Sequence, residues 1–222
     1  TKIYAEKIWI GNDPAASLTL ELQYQKEDKS WSSFPTPARV TLNGDRDLGT
    51  AAYRETTTTE DKNNGIWTAV WENVPKVYPG SKTDEDGNTI YQVVETTPSG
   101  YRLLEGTQNG TKVVDGVTYT VFRFENMKQV SLTVTKAWYG EKNPSDITVG
   151  LYRKAGESGD EEQVPGEDGN PVKGTLTATS SWEATFAGLP KYGKVNGQWV
   201  QYFYYAKEVT IGEQPADQTD YR

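Results

Sequence analysis

Hydrophobic and polar residues alternate along most of this chain. In Ser17-Leu18-Thr19-Leu20-Glu21-Leu22-Gln23-Tyr24, Val117-Thr118-Tyr119-Thr120-Val121-Phe122-Arg123-Phe124 and Val130-Ser131-Leu132-Thr133-Val134-Thr135, apolar side chains fall on every second position. That is the period of a strand with one buried face. Clusters such as Asp84-Glu85-Asp86-Gly87-Asn88 and Pro165-Gly166-Glu167-Asp168-Gly169-Asn170 separate the runs and have the composition of tight turns. No segment keeps a helical period, so the pattern predicts all-β sandwiches.

The alternating blocks occur twice, in one order. Lys7-Ile8-Trp9-Ile10-Gly11 returns as Lys136-Ala137-Trp138-Tyr139-Gly140, and Trp67 to Lys76 returns as Trp182 to Lys191. Tyr91-Gln92-Val93-Val94-Glu95 returns as Tyr204-Tyr205-Ala206-Lys207-Glu208. The spacing is longer than a solenoid repeat, so each copy is expected to close its own core. The expected boundaries are 1–128 for a complete sandwich and 129–222 for a second that lacks its last strand. Fewer residues follow Glu208 than separate Glu95 from Asn126, and Tyr221 falls where Tyr101 stands in the first copy.

Composition removes whole classes of chemistry. The chain has 222 residues, no histidine and no cysteine. A zinc site of the usual ligand types, a Ser-His-Asp triad, a Cys-His pair and a disulfide are all excluded. A net charge of -8, without Lys/Arg clusters, argues against nucleic acid or an anionic membrane as partner. No apolar run is long enough to span a bilayer and the N-terminus opens directly in a strand, so the chain reads as an excised fragment. No cofactor is implied.

A secreted domain of this size commonly uses disulfides, and this one needs another staple. Period two puts Lys7 beside Trp9, Glu95 beside Tyr91 and Val93, and Asn126 beside Phe122 and Phe124, each polar group ending an apolar row. As separate buried polar groups the three would be costly. As a reacting trio they are coherent: desolvation favours the neutral amine of lysine and the protonated acid of glutamate, which can polarise the amide and move protons. The product is a Lys–Asn isopeptide bond, with ammonia released.

The order Lys-x-Trp, then Trp67 to Lys76, then Tyr91-Gln92-Val93-Val94-Glu95-Thr96-Thr97-Pro98-Ser99-Gly100-Tyr101, then a closing strand ending in Asn126, resembles the collagen-adhesin B-type (Cna B-type) domains of Gram-positive surface adhesins and pilins. The stretch from Tyr91 to Tyr101 is similar to the pilin E-box. The resemblance covers essentially the whole chain and implies two tandem reverse immunoglobulin-like β-sandwiches that crosslink themselves without a cofactor. It assigns Lys7 as nucleophile, Asn126 as electrophile and Glu95 as proton shuttle, with Lys136 and Glu208 in the second copy. No asparagine is assigned there. It further implies a structural stalk or adhesin segment, extracellular and cell-wall-anchored, with signal peptide and anchor outside this fragment. Its partners would be neighbouring domains of a larger surface protein.

Each residue also has a plainer reading. Lys7 and Lys136 read alone as edge-strand lysines, Glu95 and Glu208 as solvated strand ends, and Asn126 as a turn residue before a linker Met127-Lys128-Gln129. Asp84 to Asn88 has calcium-loop composition but reads as a solvated hairpin turn. Val77-Tyr78-Pro79 with Lys82 reads as a loop rather than a pilin motif. Trp67, Trp71, Trp182 and Tyr204 are expected in the core, with Trp31 and Trp199 as the candidates for exposure. The alternative function is a ligand-binding module recognising a glycan or host matrix protein through loops of the first copy, chiefly Gln25 to Ala38.

Overall fold

The computed structural model describes residues 2–34, 39–45, 53–104, 109–114, 116–140 and 145–218, and it divides into two compact units, Thr1–Lys128 and Gln129–Arg222. Nearly every regular element is a strand. The exceptions are two 3-10 turns (Ile10–Asn12 and Ala216–Gln218) and a short helix α1 (Thr59–Asn63). α1 is nucleated by a capping box in which Thr58 accepts from the Asp61 N–H and the Asp61 carboxylate accepts from the Thr58 N–H.

The first unit contains β1 (Ile3–Trp9), β2 (Leu18–Gln25), β3 (Trp31–Ser33), β4 (Arg39–Leu42), β5 (Tyr53–Glu55), β6 (Ile66–Trp71), β7 (Tyr91–Thr96), β8 (Tyr101–Leu103), β9 (Asn109–Val114) and the first part of β10 (Val117–Thr135). In one sheet β1 lies between β6, antiparallel to it, and β10, parallel to it; β5 flanks β6, while β8 and β9 pair with β10. In the facing sheet β2 pairs with β7, β4 and β3. Ile3, Ala5 and Trp9 from β1, Trp67 and Trp71 from β6, and Leu18, Leu20 and Leu22 from β2 join one buried cluster between the sheets.

β1 is buried on both faces. Its outward side chains Tyr4 and Glu6 lie under Tyr119, Val121 and Val70 and a pair of cations. Glu6 accepts from Lys112 Nζ at 2.6 Å and from Arg123 at 2.6 and 3.0 Å. Burial alone would raise the Glu6 carboxyl, and the two cations outweigh it and hold it below its usual range. The first strand is thus fixed from outside as well as inside.

The second unit contains the later part of β10, then β11 (Ile147–Ala155), β12 (Glu161–Gln163), β13 (Lys173–Leu176), β14 (Glu183–Pro190), β15 (Tyr192–Val195), β16 (Gln198–Ile211) and β17 (Gln214–Pro215). β11 pairs with β16, β12 and β13, and Val130–Thr135 pairs with β14. Ile147, Val149 and Leu151 occupy the core as Leu18, Leu20 and Leu22 do in the first unit. Among the described residues β14 is the only ladder partner of Val130–Thr135. Val130, Leu132 and Val134 are accordingly half-buried, where Ile3 and Ala5 are buried.

Three sequence expectations need correction. Met127-Lys128-Gln129 is not a linker: Met127 and Lys128 pair with Arg102 and Tyr101, Gln129 pairs with Pro190, and one strand runs through. Trp182 is not a strand residue but sits at φ 59 in the turn before β14, half-buried against the core, and Tyr204 is half-buried too. The segment from Gln25 is not a plain loop, because Trp31–Ser33 pairs back onto Gln23–Gln25; residues 35–38 lie outside the described residues. Asp84 to Asn88 is a closed turn whose Asp84 Oδ1 accepts from the Asp86 and Asn88 N–H groups. Tyr221, on which the alignment of the second copy's end rests, lies outside the described residues.

Candidate functional site: a buried lysine, glutamate and asparagine

The two sheets of the first unit bring Lys7, Glu95 and Asn126 together. Lys7 points inward from β1, and Asn126 points inward from β10, where it stands opposite Trp9 in the parallel ladder. Glu95 reaches across from β7 in the facing sheet, where its backbone pairs with Leu20. Lys7 and Asn126 are 0% exposed, and so is the Glu95 side chain. The plainer reading of Asn126 as a turn residue does not hold: it is a core residue in mid-strand.

Lys7 Nζ lies 2.9 Å from Glu95 Oε2, and Asn126 Nδ2 donates to Glu95 Oε1 at 2.5 Å. One carboxyl group bridges an amine and an amide. The Nζ to Oε2 contact is close but off the hydrogen-bonding directions, so both atoms lack a directed partner, as does Asn126 Oδ1. Burial drives the Lys7 pKa down to about 8, against the pull of the Glu95 charge. Burial thus favours the neutral amine of Lys7 over its ammonium.

A second buried carboxylate shows what full satisfaction looks like. Glu55 is 0% exposed, and it accepts from the Asn43 and Gly44 N–H groups at 3.0 and 2.9 Å and from the Thr57 hydroxyl at 2.6 Å. Glu95 differs in facing the Lys7 amine and the Asn126 amide.

Lys7 is walled by aromatic rings. The Trp9 ring centre is 4.8 Å from Nζ, and Trp9 is held edge-on by Trp67 at 5.0 Å and by Tyr101 at 5.2 Å. Trp9 Nε1 is buried without a partner. The sequence reading used Trp9 only as a marker of the strand's apolar face and missed this free donor.

The second unit repeats the arrangement with more water around it. Lys136 Nζ donates to Glu208 Oε1 at 2.8 Å, and the two side chains are 25% and 36% exposed. The Trp138 ring centre is 5.1 Å from Lys136 Nζ, and Trp138 meets Trp182 edge-on at 5.5 Å. Tyr204 donates to the Pro190 carbonyl at 2.7 Å, as Tyr91 does to the Pro75 carbonyl at 2.8 Å. Of the aromatic residues expected at the surface, Trp31 is 39% exposed and Trp199 is half-buried.

Residues 132–217 match the family model described as the Cna protein B-type domain. Over that segment the chain is similar to this domain family. Domains of this family are structural modules of Gram-positive surface proteins, and the match supports a structural, adhesin-type role. Two solved structures are similar over 96% of this chain at 20% identity. One is a single B repeat unit (B1) of the collagen-binding surface protein Cna of Staphylococcus aureus, 87% covered with a TM-score of 0.27. The other is the two-repeat B1B2 unit of the same protein, 44% covered with a TM-score of 0.28. No curated protein matches the chain. Among the described residues, no helix is long and apolar enough to cross a membrane.

Burial separates the ion pair of the second unit from that of the first, and mutation should expose the difference. In an Asn126→Ala background, where no Lys–Asn bond can form, Glu95→Ala leaves a buried ammonium alone and should destabilise the first unit by about 3–5 kcal/mol. Glu208→Ala breaks a half-exposed pair and should cost the second unit about 1 kcal/mol or less. Urea denaturation followed separately for each unit checks both, and equal losses would contradict the burial argument.

Proposed function

We propose that this chain is a stalk segment of a Gram-positive surface protein whose first unit is a Cna B-type sandwich that locks itself by a Lys7–Asn126 isopeptide bond. The observation that carries this reading is the wholly buried trio, in which one carboxyl touches both the amine and the amide. Glu95 takes a proton from the Lys7 ammonium, and the freed amine attacks Asn126 Cγ. Of the three protons on Nζ, one stays on the new amide and two pass through Glu95 to Nδ2, which leaves as ammonium. Charge and atoms balance, and no cofactor is needed.

The placement gives the bond a mechanical meaning. β1 and β10 are parallel neighbours near opposite ends of the first unit's chain, so a bond between them closes nearly the whole unit into one loop. A pull along the chain would then meet a covalent bond before it met the sandwich. On the same reading the second unit is a further copy, and Lys136 with Glu208 is the same pair beside a sheet edge to which β14 supplies the one described partner.

Intact mass spectrometry tests the reading directly. Folded protein should weigh less than its sequence by one ammonia, and Lys7→Ala or Asn126→Ala should restore the full mass. Against Asn126→Ala, the linked protein should gain roughly 4 to 5 kcal/mol on the loop-entropy model of a crosslink and should resist trypsin for longer. An unaltered wild-type mass would end the proposal.

The pH dependence has a definite sign. The proposed reaction needs the Lys7 proton, which is passed on to Nδ2, and Lys7 loses it to solvent near its depressed pKa of about 8. After refolding at a series of pH values, the crosslinking rate should fall as pH rises through about 8. A bare amine nucleophile would give the opposite slope.

For the second unit, a peptide with the sequence Tyr119 to Asn126 offers a second ladder partner for Val130–Thr135. Added to the full chain, it should form an adduct short of one ammonia, and Lys136→Ala should abolish it. Adduct formation on the Lys136→Ala protein would place the reaction elsewhere.

A further inference from the structure

Crosslinking through Lys7, Glu95 and Asn126 leaves one buried charge unaccounted for. When the Lys7 amine adds to Asn126 Cγ, the carbonyl π pair moves onto Oδ1, and that oxygen becomes an oxyanion in a site without water. In acyl transfer such a charge is met by a hydrogen-bond donor fixed before the reaction begins. In the resting arrangement Glu95 does not face Oδ1, because Oε1 faces Nδ2 and Oε2 faces Nζ.

We propose that Trp9 is a catalytic residue of the crosslinking reaction, its indole Nε1–H donating to Asn126 Oδ1 as the tetrahedral adduct forms. The inference rests on the isopeptide reading above. Trp9 and Asn126 stand directly opposite each other in the parallel β1–β10 ladder, and both are buried. Trp9 Nε1 is a buried donor with no acceptor, while Asn126 Oδ1 is a buried acceptor with no donor. Among the described residues of the first unit, the buried side-chain donors left without a partner are this Nε1 and Nζ of the nucleophile itself. The same indole borders the reacting nitrogen, its ring centre 4.8 Å from Lys7 Nζ.

Pre-organisation is visible as well. Edge-on contacts with Trp67 and Tyr101 fix the plane of the Trp9 ring, so the N–H has no freedom to turn towards solvent. A core tryptophan kept only for packing would have no need of a position beside the nucleophile. The second unit places Trp138 at the same remove from Lys136, with Trp182 edge-on to it as Trp67 is to Trp9. In the unreacted state Nε1 and Oδ1 do not bond; the bond forms as Cγ becomes tetrahedral and Oδ1 swings out of the amide plane. Trp9 gives up no proton. On collapse the electron pair returns to the carbonyl and expels Nδ2, protonated through Glu95.

The test follows crosslink formation by intact mass after dilution from denaturant, in the full chain. Trp9→Phe keeps an aromatic ring and removes the donor, and it should crosslink on the order of 10²–10³-fold more slowly than wild type. Because Phe is smaller, a second variant carries benzothienylalanine at position 9, which replaces the N–H by sulfur within the same bicyclic outline and should slow the reaction to a similar degree. Each change is also made in Asn126→Ala, where an unchanged urea midpoint separates a lost donor from a loosened core. Crosslinking of the sulfur variant within about threefold of wild type would overturn the role of Nε1–H, whatever the Phe variant does. A wild-type protein that loses no ammonia would instead overturn the isopeptide reading and this inference with it.

Discussion

An ammonium group without water is the constraint around which the first unit is organised. Lys7 sits where a leucine would be unremarkable, between two sheets, and its charge is met by one carboxylate with poor directionality. Such a pair gains little over an apolar core, because desolvating two ions offsets most of their attraction. The neighbouring structure is committed to keeping it nonetheless: β7 delivers Glu95 from the opposite sheet, β10 delivers Asn126 from the adjacent strand, and Trp9 with its two edge-on aromatic partners closes the space. Glu55 shows that the fold can bury a carboxylate at rest, given two backbone N–H groups and a hydroxyl. On the proposed reading the reaction relieves the discomfort of the buried ammonium, since an amide takes its place and the displaced nitrogen departs to water as ammonium.

The face of each strand was legible from residue order because period two leaves no freedom: Lys7 shares a face with Trp9, and Asn126 with Phe124, once each segment is a strand. Repetition of Lys-x-Trp and of the Tyr91 and Tyr204 blocks then pointed to one arrangement used twice, which the paired tyrosine bonds to Pro75 and Pro190 repeat in three dimensions. What stayed hidden depends on partners distant in sequence. Met127 and Lys128 look like a linker because they follow an asparagine and carry no alternation of their own, yet pairing with β8 holds them in a strand. The free Nε1 of Trp9 cannot be read from sequence, since every tryptophan carries the same donor and only the packed core shows which one lacks an acceptor. Glu6 likewise reads as a surface residue until Lys112 and Arg123 are seen to cover it.

Comparison of the two lysines shows that distance does not decide their chemistry. Lys136 Nζ stands 2.8 Å from its glutamate and Lys7 Nζ 2.9 Å from its own, and each has a tryptophan ring at about the same remove. Their environments differ. Beside Lys7 the strand β10 lies along β1 and excludes solvent, whereas Lys136 continues a strand whose described ladder is on one side. Water screens the second pair and satisfies the lone pairs that the first must leave empty, so an ion pair there is a stable end in itself. On the proposed reading, exclusion of water by one more strand is what turns a salt bridge into a reactive pair. The last strand would then carry more than the electrophile: by covering Lys7 it also lowers the amine's pKa, so that acceptor and activated nucleophile would arrive in a single step of folding and neither would be exposed without the other.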